Sequence, residues 1–355
     1  MSKDRICVIF GGRSAEHEIS ILSASFVMDS MDTSRHEIIP VGISKDGIWH
    51  RITADVTAIK DLNDPRLEAL ITERGGEIVS PSVILGEADY AFPVLHGPYG
   101  EDGTIQGFFE IMDLPYAGCG VATSAIAMDK IFAKRLMERA GLPVLPYVAA
   151  LRRDVMGEGE RRAVIGRIED ELGYPLFVKP ANMGSSVGVS MAADRGGLDT
   201  ALDLALQYDE RIIVEAMCHG REFEAAVLGN DEPEAARAVG EIIHRAAFYD
   251  YETKYTDGAA ELSIPADIPA ELADEIRSLA VKAYEAMGGS GYSRVDFFMD
   301  EASGRPVVNE MNSIPGFTMY SMFPSLWASS GLDASSLIER IIELGYERYC
   351  IKNSR

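Results

Sequence analysis

Hydrophobic and polar positions along this chain follow two patterns, and their alternation predicts an α/β protein. Ile6 to Phe10 is a continuous apolar run of the kind that is buried in a parallel sheet. It ends in Gly11-Gly12, before a helix with a polar start that we expect from about Ala15 to Met31. A strand, a glycine turn and a helix in this order open a doubly wound domain, in which ligands bind at the carboxyl ends of the strands.

Runs of the same two kinds continue through the chain and predict further strands and helices. The expected strands are Ile38–Ile43, Ile48–Ile52, Ser82–Leu85, Tyr90–Leu95, Tyr147–Leu151, Leu176–Lys179, Gly188–Met191 and Ile212–Glu215. The expected helices are Ser124–Ala140, Gly159–Leu172, Asp194–Gln207 and Glu271–Met287. A chain of 355 residues is long enough for two or three domains, and we place the first boundary near Cys119.

Two strand-like runs near the C-terminus predict a β-hairpin. Ser293–Met299 and Pro306–Met311 flank a turn-rich segment, residues 300–304. Side chains of a strand alternate between its two faces, so one face of this hairpin carries polar groups and the opposite face is apolar. The polar residues are Arg294, Asp296, Glu310 and Asn312.

The polar face of the hairpin has two interpretations. Carboxylates that crowd together repel one another unless a cation lies between them, and their hard oxygens are ligands that Mg²⁺ and Mn²⁺ prefer. A solvated sheet face with a surface ion pair explains the hairpin alone equally well. The hairpin by itself therefore leaves both interpretations open.

A lysine and a glycine-rich loop predict a phosphate site in the middle of the chain. Lys179 ends a strand, and residues 184–188, Gly-Ser-Ser-Val-Gly, follow shortly after it. Glycines let backbone amides approach an oxyanion, the hydroxyls of Ser185 and Ser186 add donors, and the lysine adds charge. Such a loop taken alone is more often only a turn. Triphosphate and Mg²⁺ are usually bound together, so the loop and the hairpin support each other.

Single polar residues elsewhere are ambiguous on their own. Glu16 is expected in the first turn of a helix, where the helix dipole favours a structural role. Lys130 lies among charged neighbours on a predicted helix, and His96 begins a glycine-dense loop after a strand. Glu215 ends an apolar strand and Glu222 follows it. These carboxylates either accept from an adenine amino group or a ribose hydroxyl, or simply mark strand boundaries.

One long segment predicts a lid. Residues 246–263 contain three tyrosines and a Thr-Asp-Gly turn, without apolar periodicity. Structureless segments of this length are uncommon inside compact domains and often close over a binding site.

Composition excludes several classes of function. The 33 basic and 56 acidic residues give a formal charge of −23, which opposes binding to nucleic acid or to an anionic membrane. The four cysteines show no Cys-X-X-Cys spacing, so neither a zinc site nor a disulfide framework is predicted. The first residues lack the features of a signal peptide and no apolar run is long enough to span a bilayer. We therefore expect a cytoplasmic protein with no nucleic-acid or membrane partner.

Eight segments then relate the chain to a known family. They are GGRSAEHEIS at 11–20, HGPYGEDGTIQG at 96–107, MDK at 128–130, VKPANMGSSVGVS at 178–190, REFEAAVLG at 221–229, FYDYETKY at 248–255, SRVDFF at 293–298 and NEMNSIPGFTMYS at 309–321. Together they resemble the D-alanine–D-alanine ligase family, enzymes of the ATP-grasp fold. The resemblance covers nearly the whole chain and implies an α/β fold of three domains. These are an N-terminal doubly wound parallel-sheet domain at 1–120, a central ATP-grasp domain at 121–214 and a C-terminal one at 215–355 with a lid loop at 245–263.

The resemblance also implies how ATP and metal ions are bound. ATP would lie between the central and C-terminal domains. The implied nucleotide contacts are Lys130, Lys179, Ser186 and Lys254 for the phosphates, Glu215 and the backbone through Cys218 for adenine, and Glu222 for ribose. The implied ligands of two Mg²⁺ or Mn²⁺ ions are Asp296, Glu310 and Asn312.

The implied reaction is carboxylate activation. ATP phosphorylates the carboxylate of a first D-alanine, and the amine of a second D-alanine then displaces phosphate. The implied catalytic residues are Glu16, Ser185, Tyr255, Arg294 and Gly316, with Arg294 and the Gly316 N–H as the oxyanion hole. The implied substrate contacts are Glu16, His96, Arg294, Gly316 and Ser321. Binding of the first ammonium by Glu16 would replace its helix-dipole role, and the family implies a homodimer.

Two sequence features bear on the second substrate. Many members of the family carry Asn-Thr where this chain has Asn312-Ser313, a change that keeps a hydroxyl. Residues 251–255, Tyr-Glu-Thr-Lys-Tyr, match the lid of members that use D-alanine rather than D-lactate. We therefore expect D-alanyl-D-alanine for peptidoglycan precursors as the product. The alternatives are D-serine or D-lactate as second substrate, or another ATP-grasp carboxylate–amine ligase.

Overall fold

Three β-sheets with helices packed against them make up the described part of the chain. The computed structural model describes residues 3–72, 75–244, 260–300 and 303–354. The strands are β1 Asp4–Gly11, β2 His36–Ile43, β3 Trp49–Ile52, β4 Gly76–Ile78, β5 Tyr90–Pro93, β6 Tyr147–Leu151, β7 Leu176–Pro180, β8 Ser190–Ala192, β9 Arg211–Ala216, β10 Gly220–Leu228, β11 Glu234–Ala235, β12 Gly240–His244, β13 Ala260–Ser263, β14 Tyr292–Asp300 and β15 Arg305–Asn312. The helices are α1 His17–Ser30, α2 Leu67–Leu70, α3 Pro81–Leu85, α4 Thr104–Ile111, α5 Val121–Met128, α6 Lys130–Arg139, α7 Arg152–Met156, α8 Glu158–Leu172, α9 Arg195–Ala205, α10 Ala270–Ala286, α11 Met322–Ser329 and α12 Ala334–Asn353, with a 3₁₀ turn at Val56–Ala58.

The N-terminal sheet has the strand order β4-β3-β2-β1-β5. β1 pairs in parallel with β2 and β5, whereas β3 and β4 add antiparallel edge strands. Ile6, Val8 and Phe10 of β1 pack into one core, and Cys7 and Ile9 pack into another on the opposite face. Burial of both faces explains the unbroken apolar run of β1 and confirms the predicted α/β class.

One predicted strand of this region is wrong. Residues 82–85 were expected to be extended, but they belong to helix α3. Ser80 is extended and Pro81 occupies the first turn, where the missing proline N–H costs no hydrogen bond. The short apolar run looked like a strand because periodicity cannot separate short helices from short strands.

One predicted helix is divided in two. The segment Ser124–Ala140 was expected to be continuous, but Asp129 has extended backbone angles and separates α5 from α6. The Asp129 side chain accepts from the backbone N–H groups of Ile131 and Phe132 and caps α6. Lys130 is therefore the first residue of α6, a position at which a long side chain can reach beyond the helix end.

The central sheet is antiparallel, with the order β6-β9-β7-β8. Its own hydrophobic core is formed with α8 and α9, through side chains such as Ile165, Ile168, Leu198 and Leu202. β9 lies between β6 and β7, so the residues at its end are flanked on both sides.

The C-terminal sheet has the order β13-β12-β10-β14-β15, with β11 paired to β10. One of its faces packs on α10, α5 and α6, and Tyr292 and Phe317 share a core with β1 and α12. The N-terminal and C-terminal sheets are therefore joined by a common core, whereas the central sheet has a core to itself. Within the described residues no helix is long and apolar enough to cross a membrane.

Candidate active site

The predicted hairpin is present as β14 and β15, and its register places polar side chains side by side. Asp296 pairs with Glu310, and Arg294 pairs with Asn312. On the other side of β14, Glu224 of β10 pairs with Asp296. A register shift follows Asp296, as in a β-bulge. The four predicted residues thus share one sheet face, and the structure adds a fifth that the sequence analysis did not name.

Direct contacts hold this polar face together. Arg294 donates from Nε and Nη2 to the two oxygens of Asp296, each at 2.7 Å. Asn312 Nδ2 donates to Asp296 Oδ2 at 2.9 Å, and Glu224 Oε2 lies 3.0 Å from Arg294 Nε. The Arg294 side chain is 13 % exposed, and those of Asp296 and Glu224 are 5 % exposed. The surface ion pair of the second interpretation is therefore in fact largely buried.

Negative charge exceeds positive charge on this face. Burial raises the pKa of Asp296, and the carboxylates of Glu310 and Glu222 raise it further, although Arg294 opposes them. Burial disfavours a charged Arg294, but Asp296 and Glu224 outweigh it and hold the Arg294 pKa well above its usual value. A face with more carboxylates than cations is electrostatically suited to a metal ion.

The donor set fits a divalent cation with oxygen ligands. Asp296, Glu310 and Asn312 offer two carboxylates and an amide, which suits Mg²⁺ or Mn²⁺ because these ions keep several waters and share phosphate oxygens. No group of three or more His, Cys, Asp or Glu is arranged as a metal site in the part of the chain that the structure describes. The predicted set has only two such residues, so substrate and water would have to complete the coordination.

Lys130 lies where the hairpin meets the glycine-rich loop. Its Nζ donates to the carbonyl oxygen of Met183 at 2.6 Å and lies 3.9 Å from Glu310 Oε2. Because Lys130 opens α6, its side chain extends past the helix end toward both groups. The Lys130 amine therefore lies close to both the hairpin and the glycine-rich loop, which are far apart in the sequence.

The glycine-rich loop faces the start of α1. Ser185 and Ser186 have φ values of 50° and 57°, a left-handed conformation that non-glycine residues seldom adopt. A Cβ on Gly184 would lie 3.5 Å from Glu16 Oε2, and a Cβ on Gly97 would lie 3.1 Å from the same oxygen. The structure therefore brings Glu16 together with the loop. Ser185 Oγ is buried and makes no hydrogen bond to any described residue.

Glu215 lies between two lysines. Its Oε2 is 2.5 Å from Lys179 Nζ, and its Oε1 is 2.7 Å from Lys134 Nζ. Burial disfavours the charged carboxylate, but the two lysines outweigh burial and hold the Glu215 pKa far below its usual value. Both carboxylate oxygens are thus engaged by the protein itself. Cys218, which follows β9, is partly buried.

His96 connects the N-terminal sheet to the segment after β15. Its Nδ1 lies 3.0 Å from the carbonyl oxygen of Ile314, to which it donates, and its Nε2 lies 2.9 Å from Ser23 Oγ. The Ser23 hydroxyl also accepts from the backbone N–H of Phe317 at 3.3 Å. Burial lowers the pKa of His96, although the Glu16 carboxylate opposes this. A neutral His96 with Nδ1 protonated satisfies both contacts.

Gly316 and Ser321 lie close together beyond this junction. A Cβ on Gly316 would lie 3.0 Å from Ser321 Oγ, so a larger residue would press on the hydroxyl. Ser321 Oγ accepts from the Thr318 N–H at 2.9 Å, which fixes the tight turn between the two residues. Ser321 is the N-cap residue of α11. Two predicted substrate contacts therefore occupy one turn.

Three charged residues near the site were not predicted from the sequence: Glu101, which is partly buried, and Glu224 and Lys134, which are buried. Glu101 accepts from the N–H groups of Gly97 and Ile314 at 2.8 and 3.1 Å, and burial together with Glu16 raises its pKa to about 8. Strand alternation gives the signal for Glu224, two residues after Glu222. Helical spacing gives it for Lys134, four residues after Lys130. Lys254, Tyr255 and residues 245–259 of the predicted lid lie outside the described residues. The prediction of a loop is wrong for its last four residues, 260–263, because they form strand β13 and pair with β12.

Comparisons with known proteins agree with this geometry. The family model for the D-ala D-ala ligase N-terminus matches residues 5–119, and the model for the D-ala D-ala ligase C-terminus matches residues 136–343. A D-alanine–D-alanine ligase of Acetivibrio thermocellus is 43% identical over 98% of this chain and 97% of its own.

Two solved structures are also similar across their full length. The VanG D-Ala:D-Ser ligase of Enterococcus faecalis has a TM-score of 0.81 at 37% identity, covering 97% of this chain and 100% of its own. The D-alanine-D-alanine ligase of Coxiella burnetii has a TM-score of 0.81 at 32% identity, covering 99% and 98%.

Proposed function

Because the chain belongs to the D-alanine–D-alanine ligase family, we propose that it joins two D-alanine molecules into D-alanyl-D-alanine for peptidoglycan precursors. It is an ATP-dependent carboxylate–amine ligase that forms ADP and phosphate. The observation that carries the proposal is the position of Lys130, which links the polar hairpin to the phosphate loop. A triphosphate with its cation would contact both parts.

The first step would be phosphoryl transfer to the first D-alanine. Its carboxylate oxygen attacks the γ-phosphorus of ATP, so ADP leaves and an acyl phosphate forms. Lys130, Lys179 and Ser186 would hold the phosphates, and Glu222 would accept from the ribose hydroxyls. The carboxylate of Glu16 would bind the substrate ammonium, because it lies against the phosphate loop and beside Gly97. Ser185 has a buried hydroxyl without a hydrogen-bond partner among the described residues, and it follows Gly184, which lies against Glu16, so we propose that it joins loop and site.

The second step would be attack by the amine of the second D-alanine. The amine adds to the carbonyl carbon of the acyl phosphate, and phosphate leaves from the tetrahedral intermediate. Arg294 and the Gly316 N–H would stabilise the oxyanion, which is the charge that develops in this step. Ser321, in the same turn as Gly316, would bind the second carboxylate, and His96 would orient the segment that carries both. Lys254 and Tyr255 would act from the lid, a role that the sequence alone supports.

Divalent cations would be held by Asp296, Glu310 and Asn312. Two Mg²⁺ or Mn²⁺ ions, when bound, would neutralise the phosphate oxygens during transfer. In this chain the surplus of carboxylates around Arg294 is the feature that supports such binding. Arg294 would then keep its orientation through Glu224, whose carboxylate also contacts its Nε.

Adenine would lie near the end of β9, as the family implies. The Glu215 carboxylate is engaged by two lysines, so we propose that the backbone from Glu215 through Cys218 makes the principal adenine contacts. Glu215 would act mainly by holding Lys179. We further propose the three-domain division at residues 120 and 214, a homodimer, and action in the cytoplasm, where ATP is made.

D-Serine is the second candidate acceptor. The VanG structure with which this chain shares 37% identity is that of a D-Ala:D-Ser ligase. The Tyr-Glu-Thr-Lys-Tyr sequence at 251–255 argues against D-lactate. Product analysis with D-alanine and D-serine present together decides between the two acceptors.

The test is ADP release measured with purified protein, ATP and Mg²⁺. We expect rapid ADP release with D-alanine alone, and D-alanyl-D-alanine as the product in mass spectrometry. Addition of D-serine or D-lactate to limiting D-alanine should give less mixed product than dipeptide. Faster formation of a mixed product would overturn the choice of acceptor, and ATP turnover with another acid but not with D-alanine would overturn the function.

A further inference from the structure

We propose that Lys134 is a positioning residue for ATP binding: it pairs with Glu215 and so leaves the positive charge of Lys179 available to the nucleotide. The inference rests on the proposed function, since it takes Lys179 to be a nucleotide contact. Lys134 itself lies 2 % exposed inside the protein and would not touch the ligand.

The three charged side chains form a closed cluster at the end of the central sheet. Glu215 lies on β9, with Tyr147 of β6 and Phe177 of β7 as its neighbours in register. Lys134 Nζ is 6.0 Å from the centroid of the Tyr147 ring, and Lys179 Nζ is 6.0 Å from that of Phe177. Each lysine thus approaches the carboxylate from one side, over one aromatic ring, within the range of a weak cation–π interaction.

Coulombic attraction is the largest favourable interaction inside the cluster, and hydrogen bonds from both lysines to Glu215 add to it. The Glu215 oxygens lie 2.5 and 2.7 Å from the lysine nitrogens. The charge count of the cluster therefore decides its effect on a ligand. One carboxylate and two ammonium groups give a net charge of +1, whereas Glu215 with Lys179 alone would give zero.

A purely structural role does not require the second lysine. Burying an ammonium group costs several kcal/mol before its partner is counted, and a lysine is among the residues least often fully buried. Ile131, three residues before Lys134 on α6, and the Tyr147 ring that Lys134 approaches belong to one small apolar cluster, so an apolar side chain at position 134 would pack there with less cost. The Lys179 side chain is 15 % exposed. The charges of Glu310 and Glu222 act on it, and these residues lie on the side of the proposed phosphates.

The principal test replaces Lys134 with methionine, which is similar in length but uncharged. We expect Lys134→Met to raise the KM for ATP and the Kd of a non-hydrolysable ATP analogue about 10-fold to 100-fold, the loss typical of a charged contact. The kcat at saturating ATP and the KM for D-alanine should change less than about 3-fold. Arg139→Met, an exposed change on the same helix, is the matched control and should leave all four values unaltered.

A conservative change separates charge from packing. Lys134→Arg keeps the positive charge beside Glu215, so the analogue's Kd should stay within about 3-fold of the wild-type value. Lys134→Gln is polar but uncharged, so it should weaken binding of the analogue as Lys134→Met does, and it serves if Lys134→Met does not fold.

Four outcomes decide the matter. A Kd for the analogue that is unchanged in Lys134→Met while its Tm falls would show a structural role and overturn the inference. A folded Lys134→Arg that binds the analogue as weakly as Lys134→Met would overturn it too, as would wild-type affinity in folded Lys134→Gln. Wild-type protein that binds the analogue but makes no dipeptide from D-alanine would instead refute the proposed function, and leaves the binding test of Lys134 intact.

Discussion

Two buried ion clusters of this molecule have opposite net charge, although each is built on the strands of an antiparallel sheet. The Arg294 cluster of the C-terminal sheet holds one cation, Arg294, against the carboxylates of Glu224, Asp296 and Glu310. The Lys179 cluster of the central sheet holds two lysines against Glu215. The first therefore carries a surplus of negative charge and the second a surplus of positive charge.

The difference between the two clusters indicates where ligands of each sign belong. Buried charges that are fully neutralised by their neighbours stabilise little and attract nothing, whereas an unbalanced cluster favours a ligand of opposite charge. A metal-bound triphosphate carries both signs, with cations on one side and phosphate oxygens on the other. Glu310 of the negative cluster acts electrostatically on Lys179 of the positive cluster, and Lys130 Nζ lies 3.9 Å from Glu310, so the opposite surpluses lie within electrostatic reach of each other.

The largest expected effect comes from removing the single cation of the negative cluster. Arg294→Met deletes a group expected to neutralise the oxyanion, and removal of one such donor typically lowers kcat about 100-fold to 1,000-fold. Steady-state kinetics with D-alanine and ATP measures it. Arg294→Lys should restore little activity, because a lysine cannot hold both oxygens of Asp296 at once.

The matched control is Arg340→Met, which removes an exposed arginine from helix α12 and should leave kcat unchanged. Circular dichroism of the folded variants separates loss of chemistry from loss of fold. A kcat within about 3-fold of wild type in folded Arg294→Met would show that Arg294 has no part in the reaction. The contrast in charge between the two clusters would then not reflect their ligands.

The two clusters also differ in how far the sequence predicted them. Alternation in β14 and β15 placed Arg294 and Asp296 on one face, and the hairpin register followed from a recognisable turn. Glu224 was not predicted because it pairs with Asp296, which lies 72 residues later in the chain. Local sequence patterns do not indicate strand pairing over such a distance. Tertiary pairing, not local propensity, completes the cluster.

The positive cluster was predicted less well, for a physical reason. Lys134 lies among Lys130, Arg135 and other charges on α6, so the pattern indicated a solvated face. Lys134 is buried because the end of β9 in the central sheet, which carries Glu215, lies against α6. The kink at Asp129 and the helix at 81–85 were missed for a related reason, because a capping side chain or a proline decided the backbone over only a few residues.

A smaller effect is expected at the point where the clusters meet. Glu310→Gln removes a charge from the negative cluster while keeping the size of the side chain, so divalent cations should bind more weakly. We expect the Mg²⁺ concentration for half-maximal activity to rise about 10-fold, the effect of weakening one ligand contact, with little change in Tm. Calorimetric titration of Mn²⁺ with ADP present gives an independent measure.

Glu232→Gln, an exposed change outside the site, is the control for a non-specific loss of negative charge. Unaltered Mg²⁺ dependence and unaltered Mn²⁺ affinity in Glu310→Gln would show that the negative surplus serves only to hold Arg294. Both clusters would then act only by holding a cationic side chain in position, Arg294 in one and Lys179 in the other.

The smallest expected effect concerns His96, a buried histidine on which Glu16 and Arg294 act electrostatically. Burial lowers its pKa in the folded protein below the value of about 6.5 expected for the unfolded chain. When the pH falls below about 6.5, the unfolded chain therefore binds a proton before the folded protein does, and the free energy of unfolding decreases until the lower, folded pKa is reached.

His96→Gln keeps a donor for the Ile314 carbonyl and lacks this titration. We expect its stability in urea to fall less between pH 7 and pH 5 than that of wild type, even if it is lower at pH 7. His219→Gln, a change at an exposed histidine, is the control. An equal fall in the stability of wild type and His96→Gln would mean that His96 accepts a proton in the folded state as readily as in the unfolded chain. The surplus of negative charge near Glu16 and Arg294 would then extend to the N-terminal sheet, where it would stabilise a charged His96.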